Sequence, residues 1–197
     1  MLLKKNYEGI YALCDYETLN KKKFNLDEFL ALISSYDIKL LQYRDKISSL
    51  ETQIQNLKYL KSKINIPLII NDKTSLLKFC DGLHLGQEDL LRLCESDKIK
   101  DKKAFFQDLK KQNPNKILGL STHNKNEILE ANNFYLSYIG LGAYKASVTK
   151  QVEYILGASA FDLAKLSKHK VALIGGVGFE DKLENIAYKV ISSAFYV

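Results

Sequence analysis

Short apolar runs alternate with longer stretches of mixed apolar and polar residues along the 197-residue chain. The apolar runs are uninterrupted, which is typical of strands that are buried on both faces of a parallel sheet. Glycine, proline, asparagine or aspartate bounds most of them, and these residues end strands. The pattern predicts eight strands, at residues 10–14, 39–43, 68–70, 82–85, 117–120, 138–141, 171–174 and 190–195.

The stretches between the runs carry apolar residues at helical spacing, as Leu50, Ile54 and Leu57 illustrate. They predict helices at residues 26–34, 50–64, 74–79, 89–94, 103–111, 126–134, 160–167 and 181–188. Strands that alternate with helices favour parallel pairing through right-handed crossovers.

Eight such strands favour a closed barrel over a doubly wound sheet, whose first turn is normally rich in glycine. The turn after the first predicted strand contains none, since it reads Asp15-Tyr16-Glu17-Thr18. The sequence therefore predicts an α/β fold, a TIM (β/α)8 barrel of parallel strands that forms a single domain over residues 1–197. Because the eighth strand ends close to Val197, we expect the last outer helix to be missing.

Composition narrows the class of protein without changing the fold. A hydrophobic content of 46% and a charged content of 26% are ordinary for a globular chain. No apolar run approaches the roughly 20 residues that span a bilayer, and the first residues are too polar for a secretory signal. Three cysteines without paired spacing indicate reduced thiols, so we expect a cytoplasmic protein. The net charge of +6 weakly favours anionic partners, but no aromatic-interleaved basic stripe indicates nucleic acid.

Polar residues concentrate where the predicted strands end, which is where barrels of this class place catalytic groups. Each could instead be a turn, a helix cap or a surface ion pair. Their recurrence at seven of the eight strand ends favours one shared site. The segments are 42–46, 71–72, 86–89, 121–123, 147–150, 175–176 and 192–193.

These residue types indicate phosphate chemistry. Asp72 and Asp89 could hold Mg²⁺, which prefers oxygen ligands that it shares with substrate phosphates. Arg44, Lys46 and Lys150 could neutralise a pyrophosphate. The glycines at 175–176 and the serines at 192–193 occupy the place where barrels commonly bind a separate phosphate. We therefore expect two small phosphorylated substrates and one Mg²⁺ ion.

Several motifs recur in a familiar order: Gln42-x-Arg44-x-Lys46, Asn71-Asp72, Asp-Gly-Leu-His-Leu-Gly-Gln-Glu-Asp at 81–89, Gly-Leu-Ser-Thr-His at 119–123, Ser-x-Thr-Lys at 147–150 and Ile-Gly-Gly-Val at 174–177. Together they resemble the thiamine-phosphate synthase/TenI family over nearly the whole chain. The resemblance implies a transferase that joins hydroxymethylpyrimidine pyrophosphate to hydroxyethylthiazole phosphate and releases pyrophosphate.

The resemblance also implies a role for each matching residue. Asp72 and Asp89 would ligate Mg²⁺, and Gln42 would contact the pyrimidine. The residues that would hold the pyrophosphate are Arg44, Lys46, Asn71, Ser121 and Lys150. Those that would surround the thiazole phosphate are Ser147, Thr149, Gly176, Ile191 and Ser192. His84 is interpreted as a packed structural residue that points away from these groups.

Two alternatives stay open beside the synthase. The TenI branch contains a thiazole tautomerase, and His123 matches the position of its acid/base histidine, whose ordinary pKa near 6.5 suits proton transfer. A tautomerase has no need of Asp72 and Asp89, which this sequence keeps. The other alternative is a barrel that binds thiamine precursors or a protein partner without turnover. A homo-oligomer is compatible with all three.

Overall fold

The computed structural model describes residues 7–96, 101–146 and 155–196, and they form a closed barrel of parallel strands. Neighbours in sequence are neighbours in the barrel, and β8 closes on β1 with Tyr11 beside Val190. The strands are β1 (Gly9–Asp15), β2 (Ile38–Arg44), β3 (Leu68–Asn71), β4 (Gly82–Leu85), β5 (Ile117–Thr122), β6 (Tyr138–Leu141), β7 (Lys170–Leu173) and β8 (Tyr188–Ile191). The predicted parallel barrel is confirmed.

Helices cover the outside of the barrel. They are α1 (Tyr16–Lys21), α2 (Leu26–Ile33), α3 (Leu50–Lys63), α4 (Gln87–Ser96), α5 (Lys102–Gln112), α6 (Lys125–Ala131) and α7 (Ser159–Lys165). The brief helix predicted between the third and fourth strands is a 3₁₀ helix, Thr74–Phe79. Side-chain oxygens of Asn25, Ser49 and Asn124 cap α2, α3 and α6, which is why these helices begin where they do. The pattern missed α1, which is only six residues long.

The helix predicted at residues 181–188 is wrong, because this stretch is irregular up to β8. Asn185 has a left-handed backbone with φ of 59°, which a right-handed helix cannot contain. The carboxylate of Asp181 accepts a hydrogen bond from Gly178 N at 2.8 Å, so it closes a turn. The predicted last strand is also too long, since Ser193–Tyr196 form a 3₁₀ helix. Up to Tyr196, no α-helix follows β8, as expected.

Aromatic side chains cover the side of the barrel that these connections leave without an α-helix. Tyr36 stacks on Phe179 with ring centroids 4.5 Å apart, and Phe195 meets both rings edge-on. Phe29 of α2 packs edge-on against Phe195 from the other side. These ring contacts join α2, the loop after it, the loop after β7 and the segment after β8.

A second cluster of buried side chains fills the barrel interior, and three of its large members are tyrosines: Tyr11, Tyr138 and Tyr188. Gly119 makes room for Tyr138, because a Cβ atom on this glycine would lie 2.3 Å from the tyrosine ring. The hydroxyl groups of Tyr11 and Tyr138 meet inside the barrel, 2.7 Å apart. Within the described ranges, no helix has the length and apolar character needed to cross a membrane.

Candidate active site

A cavity of about 520 Å³ opens at the C-terminal ends of the strands. It brings together ten of the residues expected from the sequence: Gln42, Arg44, Lys46, Asn71, Asp72, Asp89, Ser121, His123, Gly176 and Ser192. The side chain of Ile191 is fully buried in the core outside the barrel, and its neighbours Val190 and Ser192 line the cavity instead. The predicted site residues Ser147, Thr149 and Lys150 lie outside the described residues.

Two carboxylates face the same space beside Gly86. A Cβ atom on this glycine would lie 3.2 Å from Asp89 Oδ2 and 3.7 Å from Asp72 Oδ1. Asp72 follows β3 with a left-handed φ of 61°, and its Oδ1 accepts a hydrogen bond from Gly86 N at 2.9 Å. Burial raises the pKa of Asp72; the Gly86 N–H opposes this rise, whereas the carboxylate of Asp89 adds to it. A divalent cation would relieve the repulsion between these carboxylates.

The donor set fits Mg²⁺. Both side chains offer hard carboxylate oxygens, and the missing side chain of Gly86 leaves the space next to them clear. Among residues 7–96, 101–146 and 155–196, no group of three or more His, Cys, Asp or Glu side chains could hold a metal. Mg²⁺ commonly takes one or two protein carboxylates and completes its shell with water and substrate phosphate oxygens.

Two cations at the end of β2 stand beside these carboxylates. Arg44 is ion-paired with Asp15, a buried carboxylate that sequence reasoning missed. Lys46 Nζ lies 3.8 Å from Asp72 Oδ2, and about half of its side chain is exposed to the cavity mouth. Asp15 could have been suspected, because it ends β1 just as Arg44 ends β2 and the two are partners in register. Arg44 and Lys46 could contact an anion that binds together with a divalent cation between the carboxylates.

His84 faces the barrel interior, so the expectation that it points away from the site is wrong. Leu83 and Leu85, its neighbours on β4, are buried in the core outside the barrel, and alternation directs His84 inward. Its Nε2 lies 2.9 Å from Ser121 Oγ, and its Nδ1 lies 3.0 Å from Tyr138 OH. Burial lowers the pKa of His84 to about 4, so the ring is neutral at pH 7.

The opposite side of the cavity is formed by the loop after β7 and the end of β8. Gly175 and Gly176 both adopt left-handed backbone conformations, with φ of 87° and 67°. A Cβ atom on Gly176 would lie 2.7 Å from Ala146 O, so only glycine fits between the two loops. Ser192 Oγ is buried and has no hydrogen-bond partner within the described chain. Buried polar atoms are normally paired, so this hydroxyl is available to a ligand.

His123 lies at the rim of the cavity, where half of its side chain is exposed. Its Nδ1 is 2.9 Å from Glu127 Oε2, and the same oxygen accepts the backbone N–H of His123 at 2.8 Å. Glu127 is held in the first turn of α6 by the capping residue Asn124, whose Oδ1 accepts from Glu127 N at 3.0 Å. Glu127 therefore orients the histidine ring.

The chain is similar in sequence to known proteins of thiamine biosynthesis. A family model described as thiamine monophosphate synthase matches residues 10–195. The thiamine-phosphate synthase of Dictyoglomus turgidum is 31% identical over 177 residues, which cover 86% of this chain and 72% of the relative. The thiamine biosynthesis bifunctional protein ThiED of Geobacter sulfurreducens is 34% identical over 176 residues, and the match spans 86% of this chain but only 32% of that longer protein.

Among solved structures, the thiamine phosphate pyrophosphorylase of Pyrococcus furiosus superposes with a TM-score of 0.71. The superposition covers 96% of this chain and 88% of that chain at 19% sequence identity. At this identity the likeness supports the fold alone. The family follows from the match of the family model and from the sequence relatives.

Proposed function

The chain belongs to the thiamine monophosphate synthase family and is a transferase of thiamine biosynthesis, and we propose that it joins hydroxymethylpyrimidine pyrophosphate to hydroxyethylthiazole phosphate. The observation that carries this proposal is the pair of carboxylates, Asp72 and Asp89, beside the cations Arg44 and Lys46 in one cavity. Carboxylates and cations side by side suit a metal-bound pyrophosphate. Family membership supplies the identity of the two substrates.

In this proposal Asp72 and Asp89 hold Mg²⁺. The bound ion would neutralise charge that develops on the pyrophosphate as its bond to the pyrimidine methylene carbon breaks. Gly86 has no side chain to obstruct the ion, and its N–H donates to Asp72 Oδ1 at 2.9 Å. The metal would then lie between the C-terminal ends of β3 and β4, next to the cations at and just after the end of β2.

The cations act on the leaving group. The C–O bond breaks with both electrons going to the pyrophosphate, and the thiazole nitrogen then donates its lone pair to the pyrimidine methylene cation. Arg44 and Lys46 would stabilise the departing anion, and the ion pair with Asp15 already orients Arg44. Asn71, Ser121 and Lys150 complete the proposed pyrophosphate set, and Gln42 would contact the pyrimidine.

The second substrate would bind across the cavity. Backbone N–H groups around Gly176 and the hydroxyl of Ser192, which has no partner among the described residues, are suited to a phosphate monoester. Ser147 and Thr149 complete this set by family resemblance. Ile191, whose side chain faces the core, could contribute only through its backbone. The two anions would then occupy opposite walls, with the reacting carbon and nitrogen between them.

The proposal includes a cytoplasmic location and small phosphorylated molecules as the partners. The chain has three cysteines, an odd number, and Cys14 and Cys80 are buried thiols, which suits a reducing compartment. Homo-oligomerisation stays part of the prediction from sequence.

The deciding experiment incubates the purified protein with both phosphorylated precursors and Mg²⁺ and measures thiamine phosphate. We expect product that disappears with a chelator and that falls at least 100-fold in Asp89→Ala. Asp162→Ala removes an exposed carboxylate on α7 and serves as the matched control with unchanged activity. Full activity of Asp89→Ala would overturn the metal assignment, and absence of product from the wild-type chain would overturn the proposed function.

The thiazole tautomerase is the second candidate, and the fixed orientation of His123 by Glu127 favours it. A histidine held by a carboxylate is a suitable acid/base pair for moving a proton. Isomerisation of carboxythiazole phosphate that needs no Mg²⁺ and is lost in His123→Asn would support this candidate. Binding of the precursors without turnover in either assay would support the non-catalytic barrel.

A further inference from the structure

A continuous chain of hydrogen bonds crosses the barrel interior below the cavity. It begins at Ser121 Oγ, which lies 2.9 Å from His84 Nε2. His84 Nδ1 lies 3.0 Å from Tyr138 OH, and Tyr138 OH lies 2.7 Å from Tyr11 OH. Tyr11, His84 and Tyr138 are all buried, so water does not compete for these contacts. The chain links strands from opposite sides of the barrel, β5 and β1.

The chain continues from Tyr11 to the carboxylates. Tyr11 OH donates to Gln42 Oε1 at 2.7 Å, and Gln42 Nε2 donates to Asn71 Oδ1 at 2.6 Å. Asn71 Nδ2 then donates to Asp72 Oδ2. A carboxylate oxygen only accepts, so it fixes the orientation of the Asn71 amide, which in turn fixes that of Gln42.

The donor and acceptor of every other hydrogen bond in this series follow from the end at Asp72. Gln42 Oε1 can only accept, so Tyr11 donates its single hydroxyl hydrogen to it. The Tyr11 oxygen must then accept from Tyr138, whose own hydrogen is thereby used. Tyr138 can only accept from His84 Nδ1, so that nitrogen carries the hydrogen of the neutral ring. The lone pair of His84 Nε2 is left to accept the hydroxyl hydrogen of Ser121.

We propose that Tyr138 is a positioning residue that holds His84 as the Nδ1–H tautomer and so keeps the hydroxyl hydrogen of Ser121 turned away from the cavity. Tyr138 acts through His84 and touches no substrate. It receives the Nδ1 hydrogen on one side and gives its own hydrogen to Tyr11 on the other. Within the described residues, the ring nitrogens of His84 form hydrogen bonds with Tyr138 and Ser121 alone.

Glycines keep this arrangement in place. A Cβ atom on Gly119 would lie 2.5 Å from Tyr138 OH and 2.7 Å from His84 Nδ1. A Cβ atom on Gly140 would lie 3.0 Å from His84 Cε1. The tyrosine and histidine rings also stack, with centroids 5.5 Å apart and planes 17° from parallel. Any larger residue at Gly119 would therefore displace the contact that sets the tautomer.

The tautomer has a consequence for anion binding, and this step rests on the proposed function. If Ser121 holds the pyrophosphate, its hydroxyl must turn from His84 Nε2 to a phosphate oxygen. The turn leaves the Nε2 lone pair without a donor, which weakens the net gain from the new hydrogen bond. An Nε2–H tautomer would instead donate to Ser121 Oγ and leave the hydroxyl hydrogen free for the anion. The positioned tautomer thus limits how tightly pyrophosphate, the leaving group, is held.

Nitrogen-15 NMR of the histidine rings tests the tautomer directly, without substrate or metal. In the wild-type chain we expect His84 Nδ1 to carry the hydrogen and Nε2 to show the shift of an unprotonated nitrogen. Tyr138→Phe keeps the ring but removes the acceptor, so Nδ1–H would be a buried unpaired donor. We expect the Nε2–H tautomer to become the major form in this variant. Tyr188→Phe is the control. It removes the hydroxyl of a buried tyrosine that takes no part in this chain of hydrogen bonds, and it should leave the tautomer of His84 unchanged.

Calorimetry with Mg²⁺ and inorganic pyrophosphate tests the consequence. We expect Tyr138→Phe to bind pyrophosphate about fivefold more tightly than the wild-type chain, the equivalent of one modest hydrogen bond. A merely structural defect would weaken binding instead. In a Ser121→Ala background, Tyr138→Phe should change the affinity less than twofold, because the hydroxyl that responds is absent.

The outcomes distinguish the role of Tyr138 in setting the tautomer from its consequence for pyrophosphate binding. A wild-type Nε2–H tautomer, or an unchanged tautomer in Tyr138→Phe, would overturn the role of Tyr138 whatever the chain catalyses. Weaker pyrophosphate binding by Tyr138→Phe, or a gain that persists without the Ser121 hydroxyl, would overturn the consequence for the anion. A wild-type chain that does not bind pyrophosphate at all would count against the proposed function, and the NMR result would still decide the tautomer.

Discussion

The guanidinium of Arg44 is paired with the carboxylate of Asp15, the residue that ends β1 and caps α1. The other carboxylate oxygen of Asp15 accepts hydrogen bonds from Thr18 N at 2.9 Å and Thr18 Oγ1 at 2.7 Å. One buried side chain thus starts a helix and orients a cation at the cavity. The stability of this corner and the placement of the cation are therefore linked.

This double role predicts a larger loss of stability in Asp15→Ala than loss of a cap alone would cause. Asp101 caps α5 in the same way, through Ala104 N at 2.8 Å, but it is exposed. We expect Asp101→Ala to cost about 1 kcal/mol in the free energy of unfolding. Asp15→Ala should cost about 1 kcal/mol more, because it also leaves Arg44 without its partner. Urea denaturation measures both, and equal losses would contradict the double role.

The space beside Gly86 predicts that a single methyl group impairs metal binding. In Gly86→Ala the new Cβ would lie 3.2 Å from Asp89 Oδ2, so the carboxylate must shift. We expect the Mg²⁺ concentration for half-maximal activity to rise about tenfold, which corresponds to roughly 1.4 kcal/mol. Gly178→Ala is the matched control, because its Cβ would lie at an ordinary 3.8 Å from Asp181 Oδ2. An unchanged Mg²⁺ requirement in Gly86→Ala would argue against a metal at this position.

We expect Asp45 to cause part of the loss of stability of the fold in acid. Burial alone would raise its pKa, but hydrogen bonds from Tyr43 OH at 2.6 Å and from the backbone N–H groups of Ser48 and Ile47 outweigh burial and lower it. A lowered pKa in the folded state stabilises the fold above the unfolded value near 3.9, and this contribution is lost as the pH falls through the folded value.

Asp45→Asn should therefore reduce the free energy of unfolding by about 2 kcal/mol at pH 7. The difference from the wild-type chain should narrow as the pH falls below about 4, where the wild-type carboxylate also loses its charge. Chemical denaturation across this pH range checks both statements. Asp162→Asn, on the exposed face of α7, should change neither the stability nor its pH dependence. A constant gap between Asp45→Asn and the wild-type chain would refute the explanation.

We expect the activity to depend on the geometry of the Arg44 side chain as well as on its charge. Arg44→Lys keeps the positive charge but loses the planar fork that can hold Asp15 and a phosphate oxygen together. We expect kcat/KM for the pyrimidine pyrophosphate to fall about 10- to 100-fold. Lys165→Ala removes an exposed charge far from the cavity and should have little effect, as surface charges are screened. Equal activity of Arg44→Lys and the wild-type chain would show that charge alone is sufficient.

The amino-acid sequence alone determined the order of the strands, most of the helices between them and the set of residues at the strand ends. The uninterrupted apolar runs mark buried parallel strands, and β1 to β7 lie within two residues of the predicted bounds. Parallel strands that close in order bring their C-terminal ends together, so the sequence is sufficient to assign residues such as Asp72 and Asp89 to one cavity.

Only the tertiary structure decided how these residues are connected. The spacing of apolar residues made 181–188 resemble a helix. However, Asp181 Oδ1 pairs with Lys145 Nζ of another loop at 2.5 Å, and Asn185 adopts a left-handed backbone conformation. His84 and Tyr138 meet across 54 positions of sequence. A pattern of apolar and polar residues records only whether a side chain is buried. It does not record which partner meets a buried polar atom, because that depends on closure of the barrel, which brings distant strands within hydrogen-bonding distance.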